Sequence, residues 1–289
     1  TRSGSVTGVQ TCALPISWVL SADEEQEQPV NLQLNTDTQQ HKVNKRSLPS
    51  HTAENLFWVG RYTERVIYNA RLQRTVMQWM LQSNKPFNGD DESTEAVLLQ
   101  TLTQCTYTFP GFFEDSDPEK RKDIYAKPWT ELTDVLYNEK RNGSLSHNLS
   151  LLKNAVYSVR NFWALDTWRV LRQIEEEWNK AKADTHADHL RMISTIDSLN
   201  TSMFAFLGMN RESVRREQGW NIMDLGRKLE QTLYIITLLR SVFQKKQEEQ
   251  VEHELLESVM IASQSLITYR YTYRDHLQLP LAQIGRAHV

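Results

Sequence analysis

The chain has 289 residues, a formal net charge of −3 and 39% hydrophobic residues, which is enough for a folded domain with a core. It contains no block of basic residues and no apolar run of bilayer length, so we expect neither a nucleic-acid nor a membrane partner. Cys12 lies near the N-terminus in residues 1–16, which leaves Cys105 as the one cysteine of the remaining chain, and one cysteine cannot form an internal disulfide. This cysteine usage favours a reducing, cytoplasmic location.

The two ends of the chain resemble translated sequencing-adapter DNA. We consider one possible DNA sequence that encodes residues 284–289. Its reverse complement, read with the frame shifted by one base, encodes Thr11–Ile16. We therefore expect residues 1–16 and 284–289 to be non-native tails that take no part in the fold. Setting aside Arg2 and Arg286 with these tails changes the formal net charge from −3 to −5.

Three segments are expected between the tails. Residues 17–20 are a short apolar remnant of an upstream domain. Residues 21–47 are rich in Asn, Gln, Glu and Lys, and this composition predicts a disordered linker because it cannot bury a core. Residues 48–283 form a helical domain, which we expect to be a fragment truncated at its C-terminus.

Apolar residues from Ser50 onward recur every three or four positions, and no window shows the period-two alternation of strands. This pattern predicts an all-α helical bundle of about seven or eight helices with a weak internal repeat. The first helix begins at Ser50, a residue type suited to an N-cap, and runs to about Gln82. The other predicted helices span 92–106, 149–160, 166–183, 189–207, 219–243 and 252–273, with short helices beginning near Pro118 and Pro128. Gly208 is expected to end the helix that begins at residue 189.

The internal repeat lies within two of these helices. Leu56–Glu64 aligns with Ile222–Glu230, and both copies contain an aliphatic residue, then Gly-Arg, then Glu three residues after the Arg. A glycine inside a helix costs about 1 kcal/mol relative to alanine. We therefore expect close helix packing at Gly60 and Gly226 to compensate for this cost. Both copies are predicted to lie beside apolar helix faces formed by Leu56, Val59, Ile222 and Leu225.

The Arg and Glu of each copy lie on one helix face and can form ion pairs. We interpret these pairs as ties between helices that are largely removed from water. An alternative is a pair of pseudo-symmetric anion-binding sites, because the planar guanidinium fork suits anions.

The segment Ala53–Arg65 resembles the opening signature of the bacterial alpha-E proteins, a family of predicted α-helical domains with a Glu-Arg motif. Later segments resemble further signatures of the family in the same order, so that the resemblance covers about residues 50–282. Gln231 departs from the pattern, which commonly repeats Glu-Arg at that point, so the two copies need not perform one identical task. The resemblance implies these candidate motif residues: Glu54, Asn55, Gly60, Arg61, Glu64, Arg65, Arg160, Arg216, Trp220, Asp224, Gly226, Arg227, Glu230, Tyr269 and Arg270.

The resemblance also implies a functional context. Alpha-E domains often follow a circularly permuted ATP-grasp domain in one polypeptide, and Trp18–Leu20 resembles the last residues of that domain. ATP-grasp enzymes commonly activate a carboxylate for ligation to an amine, so ATP and magnesium would belong to the upstream domain, and no cofactor is expected in this fragment. The expected partner is an ATP-grasp domain in cis or in trans.

Three functions remain open on the sequence. The first is a non-catalytic interaction or substrate-presenting module of an amide-forming ligase system, whose parent fusion would be an ATP-dependent carboxylate–amine ligase. The second is an enzyme domain that uses the Arg/Glu pairs, and the third is a purely structural assembly module. No metal site is predicted, since His186 and His189 beside Asp184 are interpreted as an exposed helix end. Cys105 is interpreted as a small buried residue rather than a nucleophile.

Overall fold

The computed structural model describes residues 48–82, 93–113, 123–184, 188–214 and 216–274. The expected tails, the remnant at 17–20, the linker at 21–47 and Pro118 lie outside these residues. Nine α-helices have both ends within the described ranges, and no strand occurs in them. The predicted all-α class is confirmed, with slightly more helices than the predicted seven or eight.

The helices follow one another along the described ranges. They are α1 (Ser50–Gln82), α2 (Thr94–Thr106), α3 (Pro128–Tyr137), α4 (Leu145–Ser158), α5 (Leu165–Ala183), α6 (His189–Ser213), α7 (Gln218–Phe243), α8 (Glu249–Ala262) and α9 (Leu266–Tyr273). A single 3₁₀ turn, Arg160–Phe162, separates α4 from α5. No helix in the described part of the chain combines the length and apolarity needed to cross a bilayer.

Side-chain caps set several helix starts. The Ser93 hydroxyl accepts a hydrogen bond from the Ala96 amide at 3.2 Å, which begins α2. The Ser144 hydroxyl accepts from the His147 amide at 3.0 Å, and this cap begins α4 four residues before the predicted start at Leu149. Capping satisfies amide donors that have no partner within the helix, so the capping serine outweighs the apolar spacing in fixing the boundary.

The prediction that Gly208 ends a helix is wrong. The helix α6 continues to Ser213, and a Cβ atom added at Gly208 would meet nothing within 4 Å. Glycine lowers helix stability by only about 1 kcal/mol, which the packing of a long helix outweighs. Glycine ends a helix where the backbone adopts a positive φ, and Gly208 does not have one.

The predicted single helix over 252–273 is also wrong, because the chain breaks between α8 and α9. Gln264 has a φ of 54°, in the left-handed region. Its amide donates to the Ile261 carbonyl at 3.0 Å, and the Ser265 amide donates to the Met260 carbonyl at 2.9 Å. These two bonds form a Schellman-type helix end, with glutamine in the position that glycine usually takes.

The helix α1 lies at the centre of the bundle. It contacts α2, α3, α4, α6, α7 and α8, and its most extensive contact is with α7. All eight residues from Val66 to Gln73 are buried, so every face of this stretch of the helix is covered. A helix that is buried all round belongs to the core, whereas a surface helix buries one face. Within the repeats, no residue of 56–64 in α1 is exposed, whereas Leu225, Lys228 and Leu229 of the α7 copy are exposed, so the copy in α1 is in a more enclosed environment.

Candidate functional site

The two repeat glycines lie where α1 and α7 cross. A Cβ atom added at Gly60 would come within 2.0 Å of the Met223 carbonyl oxygen, and one added at Gly226 would come within 2.3 Å of the Phe57 carbonyl oxygen. Both neighbours are backbone atoms, so a rotamer change cannot relieve the contact. The predicted close packing of helices at these glycines is confirmed, and it explains why each copy keeps a glycine inside a helix.

The crossing has an approximate local two-fold symmetry. Phe57 and Met223 each precede their own glycine by three residues, and each presents its carbonyl to the opposite glycine. Tyr68 and Tyr234 each follow their glycine by eight residues, and their rings stack with centroids 4.4 Å apart. Residues later in α1 thus contact residues later in α7, so the two helices run parallel. The structural repeat extends beyond the nine residues aligned from the sequence.

The ion pairs of the repeat are exchanged between the helices. Arg61 Nε donates to Glu230 Oε2, and Arg227 Nε donates to Glu64 Oε1 at 2.7 Å. The Glu64 and Glu230 side chains are only 4% and 10% exposed. Each arginine therefore binds the glutamate of the other copy, and the pairs tie α1 to α7. Buried carboxylates require such partners, because desolvation of an unpaired charge is costly.

One side of the crossing, Arg61, Arg65 and Glu230, is here called the arginine-rich half. Arg65 Nε donates to Glu230 Oε1 at 2.7 Å, and Arg65 Nη2 donates to Glu230 Oε2 at 3.1 Å. The Arg61 guanidinium carbon lies 5.8 Å from the ring centroids of both Phe57 and Trp58, within cation–π range. Two guanidinium groups share one carboxylate, so this half carries one net positive charge.

The other side, Glu64, Asp224 and Arg227, is here called the acidic half. Arg227 Nη2 lies 2.6 Å from Glu64 Oε1, and Arg227 Nη1 lies 3.6 Å from Asp224 Oδ1. Gln231 occupies the position that corresponds to Arg65, so the acidic half has no second guanidinium from this position. One guanidinium serves two carboxylates, and this half carries one net negative charge. The departure at Gln231 therefore has an electrostatic consequence.

A cavity of about 170 Å³ opens beside the arginine-rich half. It is bordered by Arg61, Arg65 and Glu230, and it reaches Asn69 on α1 and Cys105 on α2. Burial raises the pKa of the Cys105 thiol to about 12, so the thiol stays protonated at neutral pH. Cys105 is thus the small buried residue that its sequence context indicated.

Comparison with known proteins decides the family. Residues 48–282 match the Alpha-E family, described as "A predicted alpha-helical domain with a conserved ER motif". The chain belongs to the Alpha-E family. The Glu-Arg dipeptide Glu64-Arg65 lies within the matched region, and in this Alpha-E domain it contributes one residue to each half of the crossing. Glu64 binds Arg227, and Arg65 binds Glu230.

The Alpha-E domain is similar to part of much longer mycobacterial proteins. "Uncharacterized protein Rv2567" of Mycobacterium tuberculosis is 27% identical over 221 residues, which are 74% of this chain and 24% of the relative. "Uncharacterized protein Mb2597" of Mycobacterium bovis matches to the same extent. The chain thus spans about a quarter of the length of these relatives. No solved structure is significantly similar to the chain.

The N-terminal candidate residues of the Alpha-E domain lie away from the crossing. Glu54 is exposed in the first turns of α1. Asn55 Nδ2 donates to the His51 carbonyl at 2.8 Å, a contact within the same helix. Arg160 is exposed at the 3₁₀ turn after α4. Within the described part of the chain, no hydrogen bond or ion pair is seen between these residues and either half of the crossing.

The remaining C-terminal candidates are also separate from it. The guanidinium of Arg216, which is exposed, lies over the Trp220 ring at 5.9 Å from the centroid. Tyr269 is buried in a small cluster between α8 and α9. Arg270 Nη2 donates to Glu257 Oε1 at 2.9 Å, and both side chains are partly exposed. The candidate residues of the resemblance therefore form one convergent group at the crossing and several local contacts elsewhere.

The histidine-rich helix end has its own partners. The His189 ring stacks on Trp129 with centroids 3.6 Å apart, and Asp184 Oδ2 accepts from Arg191 Nη1 at 2.7 Å. His186 lies outside the described residues. A larger cavity, about 610 Å³, lies nearby between α5 and α6, and none of the candidate motif residues of the Alpha-E domain line it.

Two features of the Alpha-E site were missed by sequence reasoning. The sequence contains a pattern that could have predicted the Tyr68–Tyr234 stack, because both tyrosines share the same spacing from a repeat glycine. No sequence pattern indicated the contact made by Arg71. Its Nη2 donates to Gln264 Oε1 at 2.9 Å, and the two residues are 193 positions apart in the chain. Burial lowers the pKa of the Arg71 guanidinium. This contact joins α1 to the unpredicted break between α8 and α9.

Proposed function

We propose that this Alpha-E domain is a non-catalytic interaction or substrate-presenting module of an ATP-grasp-type amide-forming ligase system. The observation that carries the proposal is the exchange of ion pairs between α1 and α7. The charged residues of the motif bind one another at a helix crossing, with both carboxylates buried. A catalytic carboxylate must reach a substrate proton within hydrogen-bond distance, whereas these carboxylates already accept hydrogen bonds from arginines. The geometry thus favours a module over an enzyme that uses the Arg/Glu pairs.

The lengths of the relatives support a role beside other domains. The match covers about a quarter of each mycobacterial relative, so an Alpha-E region occurs there within a much longer polypeptide. A domain in such a setting needs a surface for its neighbours, and interdomain surfaces resemble protein–protein interfaces.

The helix α7 offers such a surface. Leu225, Leu229, Leu233 and Ile236 follow one another at steps of four, four and three residues, so they form one stripe along the helix. All four are exposed, Leu225 by 55% and Ile236 by 57%. Contiguous exposed apolar residues on a domain commonly mark an interaction site. We infer that the stripe contacts the ATP-grasp partner, in cis or in trans.

The test compares ATP turnover by the chain and by a full-length mycobacterial relative. Both proteins are incubated with labelled ATP, magnesium and a mixture of amino acids, beside heat-inactivated controls. We expect turnover by the relative and none by the chain. Turnover by the chain that is lost in Glu230→Gln would show an enzyme that uses the Arg/Glu pairs. Failure of the relative to consume ATP would remove the ligase association.

The stripe is tested by adding the chain to its proposed partner. In Leu229→Asp, a charge replaces one exposed leucine at the middle of the stripe, and Lys228→Asp serves as a control at the neighbouring exposed position. We expect Leu229→Asp to weaken association with an ATP-grasp protein in sedimentation velocity, and Lys228→Asp to leave it unchanged. Equal association of both variants and the unmodified chain would place the contact elsewhere.

A further inference from the structure

The cavity beside the arginine-rich half differs from the rest of the crossing in the charge of the residues that line it. It lies between α1, α7 and the C-terminal end of α2, and it measures about 170 Å³. The charged residues that line it are Arg61, Arg65 and Glu230, and the other lining residues are uncharged. The cavity is therefore bordered by one net positive charge, which favours an anion with one negative charge.

An unsatisfied donor lies in the same cavity. Asn69 follows Arg65 by four residues, so both side chains lie on one face of α1. Asn69 is only 1% exposed, and it lines the cavity. Its amide nitrogen Nδ2 has no hydrogen-bond partner among the residues that the structure describes. A buried donor of this kind carries a desolvation cost that an acceptor in the cavity would offset.

The size of the cavity limits the ligand. About 170 Å³ is well below the roughly 300–1,000 Å³ of sites for drug-sized molecules. Leu233 gives one wall an apolar surface, and Tyr107, which is mostly exposed, stands at the edge. A group of amino-acid size with one anionic end and a short apolar body fits these limits.

We propose that this cavity binds a carboxylate of amino-acid size, with the carboxylate held by Arg61, Arg65 and Asn69. Guanidinium groups suit a carboxylate because they present paired N–H donors in one plane. Asn69 Nδ2 adds a donor from the same helix. Among the described residues, the acidic half lacks this set of donors, because the Arg227 guanidinium serves two carboxylates. The proposal concerns binding by this chain alone and does not depend on the ligase association.

Two sources provide this chemistry, a free small acid and the C-terminal carboxylate of a peptide. Calorimetric titration of the chain with N-acetyl-L-alanine and with acetyl-Ala-Ala-Ala distinguishes them. The neutral C-terminal amide of each probe is the matched control. We expect each acid that binds to bind at least about tenfold more tightly than its amide, as expected for a hydrogen bond to a charged group. Binding of the tripeptide acid alone identifies a peptide terminus, and equal binding of both acids identifies a small acid.

Asn69→Leu separates binding from folding. The replacement is similar in size and removes an unpaired donor, so we expect the melting temperature to be retained while affinity for the acid falls about fivefold. Arg191→Ala, on α6 and away from the cavity, should leave affinity unchanged. Equal affinity for acid and amide, binding by neither acid, or full affinity in Asn69→Leu would each overturn the proposal.

Discussion

The two halves of the α1–α7 crossing begin from the same Gly-Arg-x-x-Glu repeat but end with opposite net charge. In the arginine-rich half, Arg65 adds a second guanidinium to the Arg61–Glu230 pair. In the acidic half, Gln231 stands at the corresponding position, and Asp224 adds a second carboxylate to the Arg227–Glu64 pair. The shared residues hold the helices together, and the residues that differ determine the charge of each side. Only the arginine-rich half borders the 170 Å³ cavity.

The largest expected effect belongs to the shared glycines. Gly60→Ala or Gly226→Ala places a Cβ atom within 2.0 or 2.3 Å of a backbone oxygen, so the helices must separate. We expect either substitution to lower the free energy of unfolding by about 4 kcal/mol or more, the range of severe packing disruption.

Gly208→Ala is the matched control for those two substitutions. A Cβ atom at Gly208 meets nothing within 4 Å, so the higher helix propensity of alanine should stabilise the chain by up to about 1 kcal/mol. Urea denaturation followed by circular dichroism measures all three variants. Similar behaviour of Gly60→Ala and Gly208→Ala would contradict close packing at the crossing.

The buried carboxylates give the next largest effects, and they should differ between halves. Glu230→Gln removes the only carboxylate of the arginine-rich half, and we expect a loss of about 3 kcal/mol. Glu64→Gln leaves Asp224 beside Arg227, so we expect a smaller loss of about 2 kcal/mol. Glu257→Gln, in a partly exposed pair with Arg270, should cost less than about 1 kcal/mol. Equal losses for all three glutamates, measured by the same denaturation, would refute the distinction.

Val59 and Leu225, which occupy corresponding positions, extend the comparison to packing. Val59 is fully buried in α1, and Leu225 is 55% exposed on α7. Val59→Ala should therefore cost about 2 kcal/mol of stability, and Leu225→Ala less than about 0.5 kcal/mol. Thermal denaturation separates these outcomes. A larger loss for Leu225→Ala would show that the stripe is covered in solution.

The smallest effect comes from making the halves alike. Gln231→Arg introduces the missing guanidinium beside Glu64 and changes the charge of the acidic half from negative to neutral. We expect a stabilisation of no more than about 1 kcal/mol, because a partly exposed ion pair contributes little. Destabilisation beyond about 1 kcal/mol would indicate that no room exists for this side chain.

Much of the fold was predictable because local physics determines it. The apolar spacing predicted α1 and its bounds, and the cost of glycine inside a helix predicted the close packing of Gly60 and Gly226. The wrong predictions have physical reasons as well. Gly208 does not end α6 because glycine ends helices only where φ becomes positive. The break at Gln264 was missed because the left-handed residue there is not a glycine, and its side chain binds Arg71 from α1.

The site was predictable only in part. The repeat identified Arg61, Glu64, Arg227 and Glu230, but residues on one helix face can pair within the helix or with another helix. The exchange of partners depends on the crossing geometry, which lies outside any single helix. Leu225 was expected on an apolar face beside the motif, and its exposure arises because α7 lies at the periphery while α1 is enclosed. Asn69 and its cavity left no pattern in the sequence.

Double-mutant cycles on Arg61 distinguish exchanged pairing from pairing within one helix. The cycle Arg61→Ala with Glu230→Gln reports contact between helices, and the cycle Arg61→Ala with Glu64→Gln reports contact within α1. We predict a coupling energy above about 1 kcal/mol for the first cycle and below about 0.5 kcal/mol for the second. A larger coupling in the second cycle would contradict the exchanged ion pairs that this structure shows between α1 and α7.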